Sequence, residues 1–414
     1  MDNWQPKPPT RTHMGDHDVS QLSQCLRGKR VALLVTGGIA ALKTPMLARS
    51  LRKNGAQVVA FLSQEGARYV TEETLAWCTN HPVVTRLTPQ AEHLYDSAPF
   101  DAYVVAPATY NTINKVAQGI ADGTVTATLA TALGRLWQGR TQVLFAPTMH
   151  GDMHNPILEA SVEKLKELGC FFIAPRDDYG KHNLPDDDVI VVALSRALSS
   201  SPLKGKSILV TGGPTPVLLD NVRRLTNKFT GRLGTAIAMA LYSKGVDVHL
   251  IHGASTYVPP SFLPHQTVTD YDQYKEAVTS YLQNNDASAA IFSAAVADYK
   301  PIERLPGKVE SGKTDWRIAL TPTVKVIDEV HEQFPNLCMI TFKYQENITH
   351  EALMIIAKER LSRGYRLVVM NRGEDKSETG QQVAYLVTPE GAQRFEGKSN
   401  IALGIVSWLE AFLS

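Results

Sequence analysis

The sequence is poor in cysteine and has no long apolar run, and both deficits exclude classes of protein. Its four cysteines, Cys25, Cys78, Cys170 and Cys338, lie far apart without a C-x-x-C pair, which excludes a disulfide framework and a cysteine-rich zinc site. The longest apolar runs, such as Val31–Val35, are much shorter than the roughly 20 residues that a membrane-spanning helix needs. We therefore predict neither a disulfide scaffold nor a transmembrane protein.

The chain also has almost no net charge. It contains 42 Lys and Arg against 41 Asp and Glu, for a formal net charge of +1. Because no overall field attracts a polyanion, we expect neither a nucleic acid nor an anionic membrane as partner. The first 18 residues have no apolar core of the signal-peptide type, so we expect a cytoplasmic location.

One pentapeptide occurs twice. Leu-Val-Thr-Gly-Gly stands at 34–38 and at 209–213, where each copy closes an apolar run that precedes a helical stretch, a glycine and a second apolar run. This order predicts strand, helix, strand in both places. In the first copy 17 positions separate the second Gly of the pair from the Gly before the next strand, and in the second copy 32. The second copy therefore contains an insertion of 15 residues.

Four further runs, AYVVAPA, TQVLFAP, AAIFSAA and LVVMN, are typical of parallel strands buried on both faces. With 414 residues, the chain is predicted to fold as two three-layer α/β domains with mostly parallel sheets. The small-residue and Pro stretch at Ser199–Gly205 indicates the boundary. We expect a flexible extension over residues 1–27, a first domain over 28–200 and a second over 201–414.

Each double glycine ends a first parallel strand, where the backbone can approach a phosphate and the next helix supplies N–H donors. Neither copy reads G-x-G-x-x-G, because Ile39 follows the first pair and Pro214 the second, so an ordinary NAD site is disfavoured. A tight turn without a ligand is the alternative.

Two other motifs have weaker contexts. Gly307–Thr314 matches the Walker A pattern, but IERLP precedes it and the alternating DWRIAL follows it, which is not the strand-loop-helix context of a P-loop. We interpret its lysines as mobile cations near a phosphate.

His150 and His154 have the spacing of a metal pair but lack the Glu of a zincin helix, so hydrogen bonding in a loop is favoured. His93, just before a strand, is by itself a weak catalytic candidate.

Longer motifs resemble a known family. TGGIAALK, APATYNTINKVAQGIADG and APTMHGDMHNP resemble the flavin-binding cysteine decarboxylases, and TGGPT, DNVRRLTNKFTGRLG, SAAVADYKP and TFKYQEN resemble phosphopantothenate-cysteine ligase. Over residues 28–390 the chain is thus similar to the bifunctional enzymes of coenzyme A biosynthesis. The resemblance implies a flavodoxin-like decarboxylase domain followed by a Rossmann-like ligase domain.

For the ligase half, the resemblance implies a nucleoside triphosphate, CTP with ATP left open, and Mg²⁺. These activate the carboxylate of phosphopantothenate as an acyl-nucleotide that the amine of cysteine attacks. By resemblance, Asn227 and Lys308 are catalytic, and Asp298 lies near the nucleotide and the metal. The other residues implied to bind the nucleotide or the acyl-nucleotide are Gly212, Gly213, Thr215, Arg223, Phe342 and Lys343.

For the decarboxylase half, the resemblance implies FMN, which oxidises the cysteinyl group so that carbon dioxide can leave. His93 is implied as catalytic base or positioning group, and Met149 with His150 as contacts of the substrate carboxylate. The residues implied to bind FMN are Gly37, Gly38, Ser63, Thr109, Asn111 and Thr112.

The chain departs from the family pattern twice. His150 stands where most bacterial relatives have Asn. The segment at residues 176–187 lacks the cysteine that in the family usually donates a proton in the final reduction. Tyr179, Lys181 and His182 are the alternative donors, and His182 best suits neutral pH.

We therefore expect an enzyme that ligates cysteine to phosphopantothenate and decarboxylates the product to phosphopantetheine. The alternatives are a ligase with an altered or inactive decarboxylase domain, and a regulatory flavin-binding module. The resemblance also implies a homo-oligomer, with trimeric flavin domains and dimeric ligase domains.

Overall fold

A computed structural model describes residues 6–8, 10, 12–94, 98–312 and 315–414. The chain divides into two units, Met1–Leu198 and Ser199–Ser414. Within the described ranges, no helix has both the length and the apolar character that crossing a bilayer demands.

Unit 1 alternates strands and helices. Its strands are β1 Arg30–Val35, β2 Gln57–Leu62, β3 Ala102–Ala108, β4 Gln142–Pro147, β5 Met149–His150, β6 Phe171–Phe172, β7 Arg176–Asp178 and β8 Lys181–Asn183. Its helices are α1 Thr44–Lys53, α2 Glu72–Thr79, α3 Tyr110–Ala117, α4 Thr124–Trp137, α5 Pro156–Glu167 and α6 Asp187–Ala197, with 3-10 turns at Ile39–Lys43, Gly66–Arg68 and Gly151–Met153.

Five strands of unit 1 form a parallel sheet in the order β2-β1-β3-β4-β6. Alternate residues of a strand face opposite sides of the sheet, and in β1 both sides are buried. Val31 and Leu33 pack with α1, α2 and α6, whereas Ala32 and Leu34 pack with α3, α4 and α5. The continuous apolar run of β1 therefore reflects a sheet covered on both faces.

The structure corrects the predicted end of the N-terminal extension. Leu26 is fully buried in the core that includes α1, and the backbone N–H groups of Leu22 and Leu26 donate to the carbonyls of Lys53 and Asn54. Because these contacts satisfy backbone groups and bury an apolar side chain, residues 22–27 belong to unit 1.

Unit 2 has more strands, several of them short. Its strands are β9 Ser207–Gly212, β10 Pro214–Thr215, β11 Val217–Leu218, β12 Arg224–Leu225, β13 Asp247–Gly253, β14 His265–Val268, β15 Ala289–Phe292, β16 Ala295–Val296, β17 Tyr299–Pro301, β18 Leu320–Pro322, β19 Cys338–Gln345, β20 Leu367–Arg372, β21 Val383–Thr388 and β22 Gly391–Glu396. Its helices are α7 Arg232–Ser243, α8 Tyr271–Asn284, α9 Val326–Gln333, α10 His350–Ser362 and α11 Lys398–Phe412.

The main sheet of unit 2 has the order β14-β13-β9-β15-β19-β20-β21-β22, in which the pairings β20-β21 and β21-β22 are antiparallel and the others are parallel. Helices α7 and α11 cover one face, and α8, α9 and α10 cover the other. The prediction of two three-layer α/β domains with mostly parallel sheets is confirmed.

Both sheets have a topological switch point beside the strand that ends in the repeated pentapeptide. In unit 1 the strand order reverses between β1 and β3, as in flavodoxin-like folds, and in unit 2 between β9 and β15. Ligands of open α/β sheets bind at the carboxyl ends of the strands that flank such a point. The fold therefore predicts a ligand site at the edge of each sheet that is formed by the carboxyl ends of these strands.

Candidate active sites

A cavity of about 1110 Å³ lies at that edge of unit 1. We call it the first cavity. It lies beyond the carboxyl ends of β1, β3 and β4, next to the switch point. The predicted residues that line it are Gly37, Gly38, Ser63, Thr109, Asn111, Thr112, Met149 and His150.

Three helical segments begin at the first cavity. The 3-10 turn begins after Gly38, helix α3 after Thr109 and helix α4 after Gly123. The Thr109 hydroxyl accepts from the backbone N–H of Thr112 at 3.4 Å, and the first N–H groups of a helix otherwise lack partners. Unpaired N–H groups and the positive ends of helix dipoles suit a phosphate group.

A small antiparallel sheet forms another wall of the first cavity. Its strand order is β5-β8-β7, and we call the hairpin of β7 and β8 the flap. Lys181, His182 and Asn183 of the flap line the cavity together with His150. Tyr179, at the tip of the hairpin, is 90% exposed and is not among the described residues that line the cavity.

The histidines of this region do not form a metal pair. The Nδ1 atom of His150 accepts from the backbone N–H of Asp152 at 3.2 Å, whereas Nε2 of His154 lies 2.6 Å from Nε2 of His182. No group of three His, Cys, Asp or Glu side chains with the arrangement of a metal site occurs in the described part of the chain. The alternative role, hydrogen bonding in a loop, accounts for both His150 and His154.

His93 lies outside the first cavity. It lies one residue before Leu94, the last described residue of the range 12–94. It is absent from the described lining of the cavity. Its Nδ1 atom is buried and has no hydrogen-bond partner within the described ranges. The catalytic role of His93 therefore stays a prediction that a single copy of unit 1 does not explain.

Unit 2 has a cavity of about 650 Å³ at the corresponding edge of its sheet. This second cavity lies beyond β9, β15 and β19, beside the start of α7. The predicted residues that line it are Gly213, Asn227, Asp298, Phe342 and Lys343. Gly212, Thr215, Arg223 and Lys308 are predicted site residues that are not part of its described lining.

Asn227 connects the insertion to the sheet. Its side-chain N–H donates to the carbonyl of Ala295 at 2.7 Å, and its amide oxygen accepts from the backbone N–H of Phe229 at 3.2 Å. Thr215 also contacts the segment after β15, because its buried hydroxyl accepts from the backbone N–H of Ala297 at 2.9 Å. The residues after β15 are thereby held at the cavity.

Arg223 lies beside the cavity and anchors the loop that contains Lys308. Its guanidinium donates to the Asp220 carboxylate at 2.6 Å and to the carbonyl of Val309 at 3.1 Å. The same carboxylate accepts from the N–H of Val309 at 3.2 Å. These hydrogen bonds hold the backbone of Val309, the residue after Lys308. Lys308 itself is exposed, so its side chain stays accessible.

Asp220 is a residue that the sequence analysis missed. Its side chain is fully buried. Burial alone would raise the pKa of this carboxyl, but hydrogen bonds from the backbone N–H groups of Val222, Arg223 and Val309 and from the Arg223 guanidinium outweigh burial and hold the pKa well below its usual range. An aspartate that accepts from residues two and three positions later is a common turn device, so the pair Asp220-Asn221 was an available signal.

Cations surround the far side of the second cavity. Burial, with the positive charges of Arg360 and Lys325, lowers the pKa of the Lys343 ammonium. Arg360 donates to the carbonyl of Phe342 at 3.0 Å, and the Lys325 ammonium pairs with Asp298. Arg360 and Lys325, which the sequence analysis also missed, line the cavity with Lys343, so this wall is suited to a polyanion.

The Walker A match is not a P-loop in its described part. Residues 302–312 form neither strand nor helix, and Gly307 and Gly312 adopt positive φ. Lys313 and Thr314 lie outside the described residues. Residues 302–306, which precede Gly307 directly, form no strand, and this agrees with the interpretation of a loop that presents cations.

Comparisons with known proteins agree with the two-part division. Residues 19–199 match the Flavoprotein family model, and residues 203–412 match the DNA/pantothenate metabolism flavoprotein C-terminal domain. The coenzyme A biosynthesis bifunctional protein CoaBC of Thermococcus kodakarensis is 35% identical over 356 residues, which cover 84% of this chain and 86% of the relative.

The corresponding CoaBC of Bacillus subtilis is 32% identical over 366 residues, covering 84% of this chain and 86% of the relative. Among solved structures, the DNA/Pantothenate Metabolism Flavoprotein from Streptococcus pneumoniae is 27% identical and covers 50% of this chain and 100% of its own, with a TM-score of 0.45.

Proposed function

This chain belongs to the family of bifunctional coenzyme A biosynthesis proteins, and from that premise we propose how its two cavities divide the work. Unit 2 ligates cysteine to phosphopantothenate, and unit 1 decarboxylates the product to phosphopantetheine with FMN. The observation that supports this division is that each unit has a cavity at its switch point, lined by residues of the corresponding family motif.

The residues of the first cavity fit FMN. Helix starts after Gly38, Thr109 and Gly123 supply backbone N–H donors for a phosphate, and Asn111 and Ser63 add polar side chains around them. Bound there, FMN would accept the electrons that leave the cysteinyl group and return them at the end of the reaction. The protein supplies orientation and protons.

Substrate binding falls to the strand β5 and the flap. Met149 and His150 lie opposite His182 and Lys181 in the small sheet, so these side chains surround the opening next to the flavin-binding residues. The Lys181 ammonium and the His150 ring can hold the substrate carboxylate in place until it leaves as carbon dioxide.

We further propose that a second copy of the chain supplies His93 to the first cavity. His93 is outside the described lining of its own cavity, although its predicted role requires contact with the substrate. Ile39, Leu42 and Met46, in the 3-10 turn and α1 that follow the double glycine, are 70%, 57% and 59% exposed. Exposed apolar side chains grouped in this way favour self-association of unit 1.

In unit 2, the phosphates of CTP or ATP bind at Gly213 and the start of α7, facing the cations Lys343 and Arg360. The carboxylate of phosphopantothenate attacks the α-phosphate and releases pyrophosphate. The amine of cysteine then displaces the nucleoside monophosphate and forms the amide. Asn227 orients the acyl-nucleotide, and Lys308 neutralises the charge that develops on its phosphate.

A Mg²⁺ ion fits Asp298 if the nucleotide supplies most of the ligands. Mg²⁺ commonly binds through one or two carboxylates and completes its octahedron with phosphates and water. Asp298 has an exposed carboxylate at the second cavity, paired with Lys325. The protein contribution is therefore one carboxylate, which agrees with the absence of a three-residue metal cluster in the described residues.

Product analysis tests the proposal. The purified protein should be yellow, and with phosphopantothenate, cysteine, Mg²⁺ and CTP or ATP it should yield phosphopantetheine, carbon dioxide, pyrophosphate and a nucleoside monophosphate. Amide formation without carbon dioxide release, from protein that contains FMN, would show a ligase with an inactive decarboxylase unit. A colourless protein that does not bind added FMN would refute the role of unit 1.

We propose a cytoplasmic location, because all four cysteines are free thiols.

A further inference from the structure

Three side chains at the flap form one hydrogen-bonded chain. Nδ1 of His182 lies 2.5 Å from Oδ1 of Asp177, and Nε2 of His182 lies 2.6 Å from Nε2 of His154. His182 is thus the middle member, between a carboxylate and a second imidazole. We call this group the flap relay.

The register of the flap produces this arrangement. In the hairpin, Asp177 stands directly opposite His182, and directly opposite residues present their side chains on the same face. Tyr179 and Gly180 have φ of +52° and +67°, which are the left-handed conformations of a two-residue hairpin turn that fixes the register. The contact between Asp177 and His182 therefore follows from the turn.

The hydrogen bonds define where protons lie. An ionised carboxylate only accepts, so Nδ1 of His182 has a proton that it donates to Asp177. The short contact between the two Nε2 atoms requires one further proton, held by either ring. His182 lines the first cavity, whereas Asp177 and His154 are exposed. The relay can therefore move a proton from solvent to the cavity.

We propose that the flap relay supplies the proton that decarboxylation consumes, with His182 as the donor, Asp177 as a positioning residue and His154 as the group that returns the proton. This inference rests on the proposed function of unit 1. Replacing a carboxylate by hydrogen, R–COO⁻ + H⁺ → R–H + CO₂, takes up one proton per turnover, because the hydride removed at the start returns at the end.

In the last step, the C=C bond of the enethiol becomes a single bond. Bound FMN would supply a hydride for one carbon, and Nε2 of His182 donates the proton that the other carbon takes. His182 is left neutral with its Nδ1 proton still donated to Asp177. His154, whose Nε2 atom accepted the hydrogen bond from His182, then takes a proton from water at Nε2 and passes it to Nε2 of His182, which restores the relay. The relay thus does the work of the cysteine that this flap lacks.

The other two candidate donors do not have this combination of features. Tyr179 is 90% exposed at the tip of the turn. Lys181 lines the first cavity, but in the hairpin it stands opposite Asp178 and in the small sheet opposite His150. Among the described flap residues, His182 alone both faces the cavity and hydrogen-bonds to a second group that can return a proton.

The partition between products tests the relay. FMN-containing protein is given phosphopantothenoylcysteine without oxygen, and carbon dioxide and the two thiol products are quantified by mass spectrometry. In His182→Ala the ratio of unsaturated to saturated thiol should rise on the order of a hundredfold, and in Asp177→Asn and His154→Gln about tenfold or more. Carbon dioxide release in the first turnover is measured beside the ratio in each variant, so that weaker substrate binding is distinguished from loss of the proton donor, which acts after that step.

Asp178→Asn is the matched control. Asp178 is the neighbouring carboxylate on the same strand, and its side chain faces Arg176 at 4.0 Å rather than His182, so the product ratio should stay at the wild-type value. Added imidazole should restore the saturated product in His182→Ala, which a merely structural role of His182 would not allow.

A second readout does not depend on turnover. In protein labelled with ¹⁵N-histidine, the Nδ1–H of His182 should give a downfield, slowly exchanging proton signal that is lost in Asp177→Ala and kept in Asp178→Asn. Wild-type product ratios in both Asp177→Asn and His154→Gln, with normal carbon dioxide release, would overturn the relay. If wild-type protein releases no carbon dioxide, the proposed function is wrong and the relay falls with it.

Discussion

The same five residues, Leu-Val-Thr-Gly-Gly, end the first strand of both units, yet glycine is required for different reasons in the two copies. In unit 1, a Cβ on Gly37 would lie 2.4 Å from Cβ of Glu65, so the requirement is close approach. In unit 2, Gly213 has a φ of +78°, and a Cβ there would lie 2.7 Å from the carbonyl oxygen of Gly253. The shared pentapeptide therefore indicates the end of a strand, and it does not form the same ligand-binding turn in the two units.

The segments after the two turns differ more. In unit 1 a 3-10 turn and α1 follow at once, and the cavity is completed by α3, α4 and the flap. In unit 2 residues 214–231 intervene before α7, and they contain Asp220, Arg223 and Asn227. The repeated strand end therefore selects the edge of the sheet, and the following segments determine the chemistry.

The largest expected effect separates the two sites. Asn227→Ala removes the side chain that connects the insertion to Ala295 and orients the acyl-nucleotide, so ligase turnover should fall on the order of a hundredfold or more. Lys308→Ala should cause a similar loss, since it removes a cation from the developing phosphate charge. Amide formation measured by mass spectrometry tests both changes.

Flavin content and decarboxylation of supplied phosphopantothenoylcysteine should be unchanged in both variants, because unit 1 is untouched. Asn284→Ala, on the exposed surface of α8, is the matched control for Asn227 and should retain ligase activity. Wild-type ligation in both Asn227→Ala and Lys308→Ala would refute the assigned roles. A loss in Asn284→Ala of similar size would show that the effect is not specific to the cavity.

A second test asks whether one copy of the chain contains all the residues of the first site. His93→Asn should stop the reaction before carbon dioxide is lost, and Asn111→Ala should block flavin binding at the cavity. If a second copy supplies His93, co-expressing these two variants should restore on the order of a quarter of the sites. Carbon dioxide release by the co-purified mixture measures this.

Asn111→Ala co-expressed with Thr112→Ala is the control, because both changes affect the same side of the cavity and no intact site can form. Restored activity in this control would point to exchange or reversion rather than shared sites. No restoration with His93→Asn would show that His93 acts within its own copy or does not act at all.

Much of the fold could be predicted because it depends on local pattern. The runs that became β1, β3, β4 and β9 are continuous and apolar, and only strands covered on both faces have that pattern. Some of the predicted cavity residues follow such strands directly, as Thr109 follows β3 and Gly213 follows β9.

The contacts that the sequence did not reveal depend on pairing over distance. His154 and His182 are 28 positions apart, and their contact requires the register of the small sheet, which no local pattern specifies. Asp220 contacts Val309, 89 positions away. Leu26 looked like part of a polar extension, because a single leucine has no periodicity from which burial can be inferred.

A smaller effect, on stability, should separate the two double glycines. Gly213→Ala forces a left-handed conformation on a residue with a Cβ, which costs about 1–2 kcal/mol, and the clash with Gly253 adds to this. Gly38 has extended backbone at φ −171°, and a Cβ there would lie 3.4 Å from Cγ2 of Thr109, an ordinary contact. Gly38→Ala should therefore change the stability of unit 1 by less than about 0.5 kcal/mol. Urea unfolding followed by hydrogen exchange in each unit tests this, and equal losses in both would contradict it.

The smallest effect is a pH dependence confined to unit 2. The folded pKa of Asp220 is held below the usual carboxyl value of 3.8, so its ionised form stabilises the fold above that value and the contribution is lost as the pH falls toward the folded pKa. Asp220→Asn replaces one accepting oxygen by a donor facing Val309 and Arg223, and should lower the urea midpoint of unit 2 at pH 7. The difference from wild type should shrink as the pH falls below about 4, because the Asp220 carboxylate of the unfolded state then takes up a proton whereas that of the folded state stays ionised. Unit 1 of the same molecules is the internal control and should show no difference at either pH. An offset in unit 2 that stays constant from pH 7 to pH 3 would mean that the charge of Asp220 does not stabilise the insertion.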